Sequence, residues 1–270
     1  MSLLDPETMK RMGSIFTELG TMGENNLVKQ LVNKISTNFD SSDKNVRIKT
    51  SQMIKKTFDA FQNLGNRELT RFMSERLKEI IDKEKDSETY NNLGTCLKEE
   101  INQDILEGDY ENASKLIGIF KRHELIGEKL PEDLLNNVIE AENIQLLIDD
   151  LVNEKIEIRD RAFEILVKLK DKLYPHFVKA IANTENLRKR KMLVSIINNQ
   201  EEKVILEFLN YFGGKISITE TIRLLEVVDS LQKHSLVINK LSSLLSHYDF
   251  RIRREVLKVI EKLKTAESLD

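Results

Sequence analysis

A chain of 270 residues with 40 % hydrophobic and 32 % charged side chains, but only 10 glycines and 3 prolines, has too few turn-builders for a β-sandwich or barrel. Leu, Ile, Val and Phe recur throughout, which excludes a largely disordered polymer. No run approaches the roughly 18 consecutive apolar residues of a membrane span, and the single cysteine, Cys96, excludes an internal disulfide and a Cys-based zinc site. The opening Met1-Ser2-Leu3-Leu4-Asp5-Pro6 has no basic segment followed by an apolar one, so a cytoplasmic protein without a signal peptide is expected. The net charge of −3 hides a gradient: residues 1–150 carry 20 Lys/Arg against 28 Asp/Glu, or −8, and residues 151–270 carry 22 against 17, or +5.

Apolar residues recur at three and four along almost the whole chain, the period of a helix. A helix near 5–19 precedes the pairs 24–37 with 44–63, 66–83 with 87–106, and 109–123 with 132–141. The pairs continue as 144–153 with 156–169, 171–182 with 186–198, 201–212 with 216–231, and 234–246 with 249–264. Val46, Thr50, Met53, Ile54, Thr57, Phe58 and Phe61 form one apolar stripe, and Ile252, Val256, Val259, Ile260 and Leu263 another. Breaks such as Gly65-Asn66, Glu107-Gly108-Asp109 and Asn183-Thr184-Glu185-Asn186 join a C-terminal Gly or Asn to an N-capping Asp, Ser or Thr. Connections this short return each helix antiparallel beside its predecessor. The chain is all-α.

Four second helices open with an aliphatic residue followed by a basic one: Val46-Arg47, Ile158-Arg159, Leu187-Arg188 and Ile252-Arg253. Ile218-Thr219 takes that slot in the pair between the last two, and the spacings from Arg159 to Arg188, Thr219 and Arg253 are 29, 31 and 34. A two-helix unit of this length cannot bury its apolar face alone, so units must stack. Arg47, Arg159, Arg188 and Arg253 thus mark a structural position that packs or pairs between repeats. Lys189, Arg190, Lys191 and Arg254 are left to meet a partner.

These residues resemble the HEAT repeat family. Leu173-Tyr174-Pro175-His176-Phe177-Val178-Lys179-Ala180-Ile181 looks like the family's first helix, with Pro175 as its early proline. Ile158-Arg159-Asp160-Arg161-Ala162-Phe163-Glu164-Ile165-Leu166 looks like its second. The resemblance covers 144–264 and 44–63 and is faint over 66–141; Asn153, Asn183 and His247 stand near the place of the family's turn aspartate. It implies a right-handed α-α superhelix, an α-solenoid of about seven antiparallel helix pairs whose second helices line a concave face. One domain over 1–270 is expected: a capping helix in 1–23, divergent repeats over 24–141, regular repeats over 142–264 and a tail at 265–270.

Motifs of catalysis are missing from the sequence: it has no glycine-rich phosphate loop, no His-Glu-x-x-His and no Gly-x-Ser-x-Gly. His123, His176, His234 and His247 fall at or near different predicted helix ends, too dispersed to converge on a metal. Adjacent carboxylates such as Glu99-Glu100, Asp149-Asp150 and Glu201-Glu202 diverge by roughly 100° on a helix and read as solvated faces. No enzyme, cofactor or metal is therefore expected. Charge on the successive second helices 156–169, 186–198, 216–231 and 249–264 runs 0, +4, −2, +3, and this interruption disfavours a phosphate-tracking groove. The expected function is a protein-binding scaffold or adaptor that holds a protein partner on the concave face, with no membrane. The alternatives are a nucleic-acid binder or HEAT-like DNA-repair glycosylase using helices 186–198 and 249–264, and an interaction module of a larger signalling protein.

Overall fold

The computed structural model describes residues 6–125, 134, 137–198, 202–214, 216–231 and 234–267. Within them are fourteen α-helices and three short 3-10 helices, with no β-strand among the described residues. No described helix is long and apolar enough to cross a membrane. The chain forms two compact units, residues 1–143 and 144–270.

The first unit runs α1 (Pro6–Thr21), α2 (Asn25–Ser36), α3 (Lys44–Asn63), α4 (Arg67–Ile81), α5 (Ser87–Glu107) and α6 (Tyr110–Leu125). Each boundary has a local cause. The carboxylates of Asp43 and Asp86 accept from Asn45 N–H and Thr89 N–H, both at 2.9 Å, and the Asn66 side chain accepts from Leu69 N–H at 3.2 Å, so α3, α4 and α5 start on side-chain caps. At Gly108 the φ of 78° ends α5 in the left-handed region that glycine enters without strain. Alternate helices pack side by side, α1 on α3 on α5 and α2 on α4, while α5 also meets α4 and α6. The core between these layers holds Phe16, Val32, Phe58, Phe61, Met73, Leu77, Leu93 and Leu97. Phe16 and Phe61 meet edge to face at 6.4 Å, an arrangement that the ring quadrupoles favour. Gly20 lets α1 approach this pair, since a Cβ there would lie 2.8 Å from Phe61 Cε1.

One feature of this unit overturns an expectation. Glu100 is buried, and the buried Asp104 lies a helical turn further on. Arg67 of α4 donates from Nη1 to Glu100 and from Nη2 to Asp104, both at 2.9 Å. Asn112 of α6 donates to the other oxygen of Asp104 at 2.7 Å, and Arg71 reaches Asp109 at 2.8 Å. So Glu100 is no solvated acid: adjacent residues on a helix face different ways, and α4 supplies its cation from 33 residues away. Burial, reinforced by the neighbouring Glu100 charge, pushes the Asp104 carboxyl up to about 7 against its bonds to Asn112 and Arg67. A second node joins Asn102 and Asn143: Asn143 Nδ2 donates to the Asn102 carbonyl and side-chain oxygens at 3.0 and 2.9 Å.

α7 (Ala141–Asp150) spans the boundary between the units. Of the expected helix over 132–141, residues 132, 133, 135 and 136 lie outside those described, and 137–140 form a turn and bend before α7 rather than helix. The second unit continues with α8 (Ile156–Lys168), α9 (Lys170–Asn183), α10 (Leu187–Asn198), α11 (Glu202–Asn210), α12 (Ile218–Val228), α13 (His234–Ser242) and α14 (Phe250–Glu267). Alternate helices again lie side by side, α10 on α12 on α14 and α11 on α13, and α9 packs on both α10 and α12. Pro175 sits exposed inside α9, where it removes one backbone hydrogen bond. Ser217 opens α12 with a capping box, its hydroxyl accepting from Glu220 N–H while the Glu220 carboxylate accepts from Ser217 N–H. The core of this unit is Ala162, Leu166, Phe177, Ile181, Leu193, Ile197, Phe208, Leu224, Val228, Leu241, Ile252 and Val256.

Candidate functional site

Four of the second helices, α3, α8, α10 and α14, share one N-terminal construction. Two residues before the first helical turn, a polar side chain accepts the backbone N–H of the residue that starts it. The pairs are Ser41 Oγ from Asp43 at 3.2 Å, Asn153 Oδ1 from Lys155 at 3.0 Å, Thr184 Oγ1 from Asn186 at 3.3 Å and His247 Nδ1 from Asp249 at 3.1 Å. Six residues after each of these stands an arginine: Arg47, Arg159, Arg190 and Arg253. Three of them reach back to the turn. Arg47 Nη1 donates to the Ser41 carbonyl at 2.9 Å, Arg190 Nη1 to Thr184 at 2.8 Å and Arg253 Nη1 to His247 at 2.7 Å. The clasp satisfies carbonyls that the turn leaves without helical partners.

Two of these arginines, Arg47 and Arg190, also tie one element to the next. Arg47 Nε contacts Glu84, 3.1 Å away in the loop before α5, and Glu84 in turn accepts the backbone N–H groups of Lys85 and Asp86. Arg190 Nη2 donates to Glu226 of α12. Arg223 of α12 reaches the carbonyl of Asn183 at 3.0 Å and Glu185 at 3.1 Å, so a cation meets the negative end of α9. The loop 183–186 is held from both α10 and α12.

This register corrects the sequence reading. Arg190, expected to face a partner, is only 5 % exposed and holds the structural position. Arg188, expected there, is exposed and pairs with no carboxylate among the described residues. The cause is Lys189. It fills the place taken elsewhere by Val46, Ile158 and Ile252, its stem largely covered and its ammonium on Asp149 at 2.7 Å. An aliphatic-basic dipeptide therefore points two residues early in this repeat. Counted from Lys155, Asn186, Ser217 and Asp249, which start the four second helices, the period is 31, 31 and 32 residues. The signal that finds three of these starts is the polar turn residue followed by arginine six positions later; the start at Ser217, with Thr221 in the arginine's place, is marked by its capping box instead.

The other expected residues are placed as follows. Arg159 and Arg253 hold the repeat position, and Arg159 is also 3.6 Å from Asp160. Lys191 is exposed without a carboxylate partner among the described residues. Arg254 is exposed beside Glu255 at 3.3 Å. Arg188 and Lys191 thus come together on α10, whereas Lys189 and Arg190 are committed to Asp149 and Glu226.

With the register known, the outer ridge of the second unit can be read by position. The second residue of each helix after its start gives Glu157, Arg188, Thr219 and Arg251; the fifth gives Asp160, Lys191, Ile222 and Arg254; the ninth gives Glu164, Ser195, Glu226 and Lys258. The ridge is acidic on α8, basic on α10, mixed on α12 and basic on α14. Large apolar side chains stand exposed where these helices start: Ile156, Leu187 and Phe250, the last 62 % exposed, with Tyr248 beside it. Two adjoining depressions share Leu187 and Lys191. One is lined by Arg188, Met192 and Ser195 of α10, and the other crosses α12 and α14 to Glu226, Asp229 and Lys262. No group of three or more His, Cys, Asp or Glu side chains among the described residues converges on a point that would hold a metal ion.

No protein-family profile matches the sequence, and no curated protein matches it. Among solved structures, two engineered proteins from the Northeast Structural Genomics Consortium align with 12 % and 13 % identity over 87 % of this chain and 96 % and 98 % of theirs, each with a TM-score of 0.24. A protein from the computational design of self-assembling cyclic homo-oligomers aligns with 10 % identity over 97 % of this chain and 95 % of its own, with a TM-score of 0.26.

Proposed function

We propose that this protein is a HEAT-like α-solenoid that acts without catalysis, in the cytoplasm, as a scaffold or adaptor binding a protein partner along the layer of second helices. The observation that carries the reading is the repeated arginine clasp. It sets the start of α10 and of α14, and these helices pack on α12 between them, with Arg188, Lys191, Glu226, Arg251, Arg254 and Lys258 left exposed along their outer positions. A broad surface of this kind lets many weak contacts add without a deep pocket. Affinity capture from the source lysate at moderate salt, with and without nuclease and read by mass spectrometry, tests it. A discrete protein recovered after nuclease treatment is expected; recovery that collapses with nuclease would overturn the reading.

A further inference from the structure

We infer that the groove centred on Leu187 and Lys191 takes an acidic peptide segment that carries a large apolar side chain among its carboxylates. The inference rests on the protein-binding reading above and names the partner's chemistry. Its first support is charge. In the groove, Arg190 is committed to Glu226 and Lys262 to Asp229, whereas Arg188 and Lys191 pair with no carboxylate among the described residues. Two uncompensated cations one helical turn apart match two carboxylates presented on one side of a peptide.

Its second support is the apolar surface that lines the same depression as those cations. Leu187 is 44 % exposed and lines this depression together with the half-buried Met192. A free polyanion gains nothing from covering this surface, while a Leu or Phe side chain placed there leaves water. Met adapts its shape to such an insert. The ridge also argues against a phosphodiester chain. Glu226 of α12 is already paired with Arg190, and the ridge cations of α14 are paired with Asp249 and Glu255, so a strand of uniform negative charge finds no continuous row of free cations beyond α10. A peptide confines its charge to the few residues that reach Arg188 and Lys191.

Panning the intact protein against a phage-displayed library of random short peptides tests this. Synthetic copies of the winners are then titrated by fluorescence anisotropy against wild type, the double variant Arg188→Glu/Lys191→Glu, and Leu187→Ala. All three substituted side chains are exposed, and circular dichroism confirms that each variant is folded. Enrichment of Asp and Glu together with Leu, Ile, Phe or Met is expected. Affinity should fall at least about tenfold in the double variant and severalfold in Leu187→Ala, more steeply at low salt than at high salt for the charge reversal alone. Absence of enrichment, enrichment of basic or uncharged peptides, or winners indifferent to the double variant would each refute the proposal. Tighter binding of single-stranded DNA to the wild type would refute it too and point to nucleic acid. A lysate partner captured equally by wild type and the double variant leaves the scaffold reading standing while this groove is ruled out.

Discussion

The sharpest consequence of the repeat register is a contrast between two arginines two residues apart. Arg190→Ala removes a side chain that is 5 % exposed, strands the Thr184 carbonyl that it serves at 2.8 Å, and opens space where its stem packed. A part-buried acceptor left without a donor costs about 1–2 kcal/mol, and the lost stem contacts add about 1 kcal/mol. Glu226 is 44 % exposed and is re-solvated, so its lost partner adds little. The sum is about 2–3 kcal/mol, which lowers the unfolding midpoint of a unit of this size by roughly 10 °C. Arg188→Ala removes an exposed side chain without a carboxylate partner among the described residues and should stay within about 0.5 kcal/mol of wild type. Thermal and urea unfolding followed by circular dichroism measure both, and amide exchange in α10 and α12 localises the loss. If Arg188→Ala costs as much as Arg190→Ala, or if neither moves the midpoint, the register derived from the turn residues is wrong.

Arg47→Ala should cost more than Arg190→Ala, about 3–5 kcal/mol, because Glu84 is 4 % exposed and would be left as a buried charge; equal losses in urea titrations would contradict that ranking. Asp104 has an ordinary carboxyl pKa of 3.8 that burial raises to about 7 in the folded chain. Between those values the folded state holds a proton that the unfolded state has released, so stability falls as pH rises across the window and levels off above it. The slope of urea stability against pH should flatten in Asp104→Asn, and an unchanged slope would remove Asp104 from the account. Gly20→Ala should destabilise by about 1–3 kcal/mol through the 2.8 Å clash with Phe61, while Gly13→Ala, with nothing within 4 Å, should stabilise α1 by up to about 1 kcal/mol; a common sign for the two would refute the packing of α1 on α3. Burial raises the Cys96 thiol well above its usual value, so native protein should resist thiol reagents until denaturant opens α5, and fast labelling of the native state would show that this core is accessible.

The helices were legible because their causes are local. Caps at Asp43, Asn66, Asp86 and Ser217 and the terminating Gly108 act within a few residues, and the three-four spacing of apolar residues exposes one buried face. Ser217 and Glu220 are just as local a cause, since they make the capping box that starts α12. What was hidden depends on partners distant in sequence. Nothing near Glu100 announces that Arg67 will meet it from another helix, and Arg190 is distinguished from Arg188 only once Thr184, six residues before it, is read as the turn residue. The site was half legible for the same reason: exposure of Arg188 and Lys191 follows from which arginine the turn captures, and that choice is made by the Thr184 carbonyl and by Glu226.

The two units show how one local device yields different periodicities. In the second unit the helices started by Lys155, Asn186, Ser217 and Asp249 recur every 31 or 32 residues, and α8, α10 and α12 are 13, 12 and 11 residues long. In the first unit Asp43 and Asp86 stand 43 residues apart, and α3 and α5 are 20 and 21 residues long. Arg47 nevertheless clasps the Ser41 carbonyl at the same six-residue interval as Arg190 and Arg253. The turn and its arginine are conserved in geometry while helix length varies by two turns, because the clasp needs only the first turn of the helix and leaves its far end unconstrained. A repeat sought by a fixed period is therefore lost over the first unit, whereas one sought by a polar turn residue with arginine six positions on finds Ser41 and Arg47 there as readily as Thr184 and Arg190.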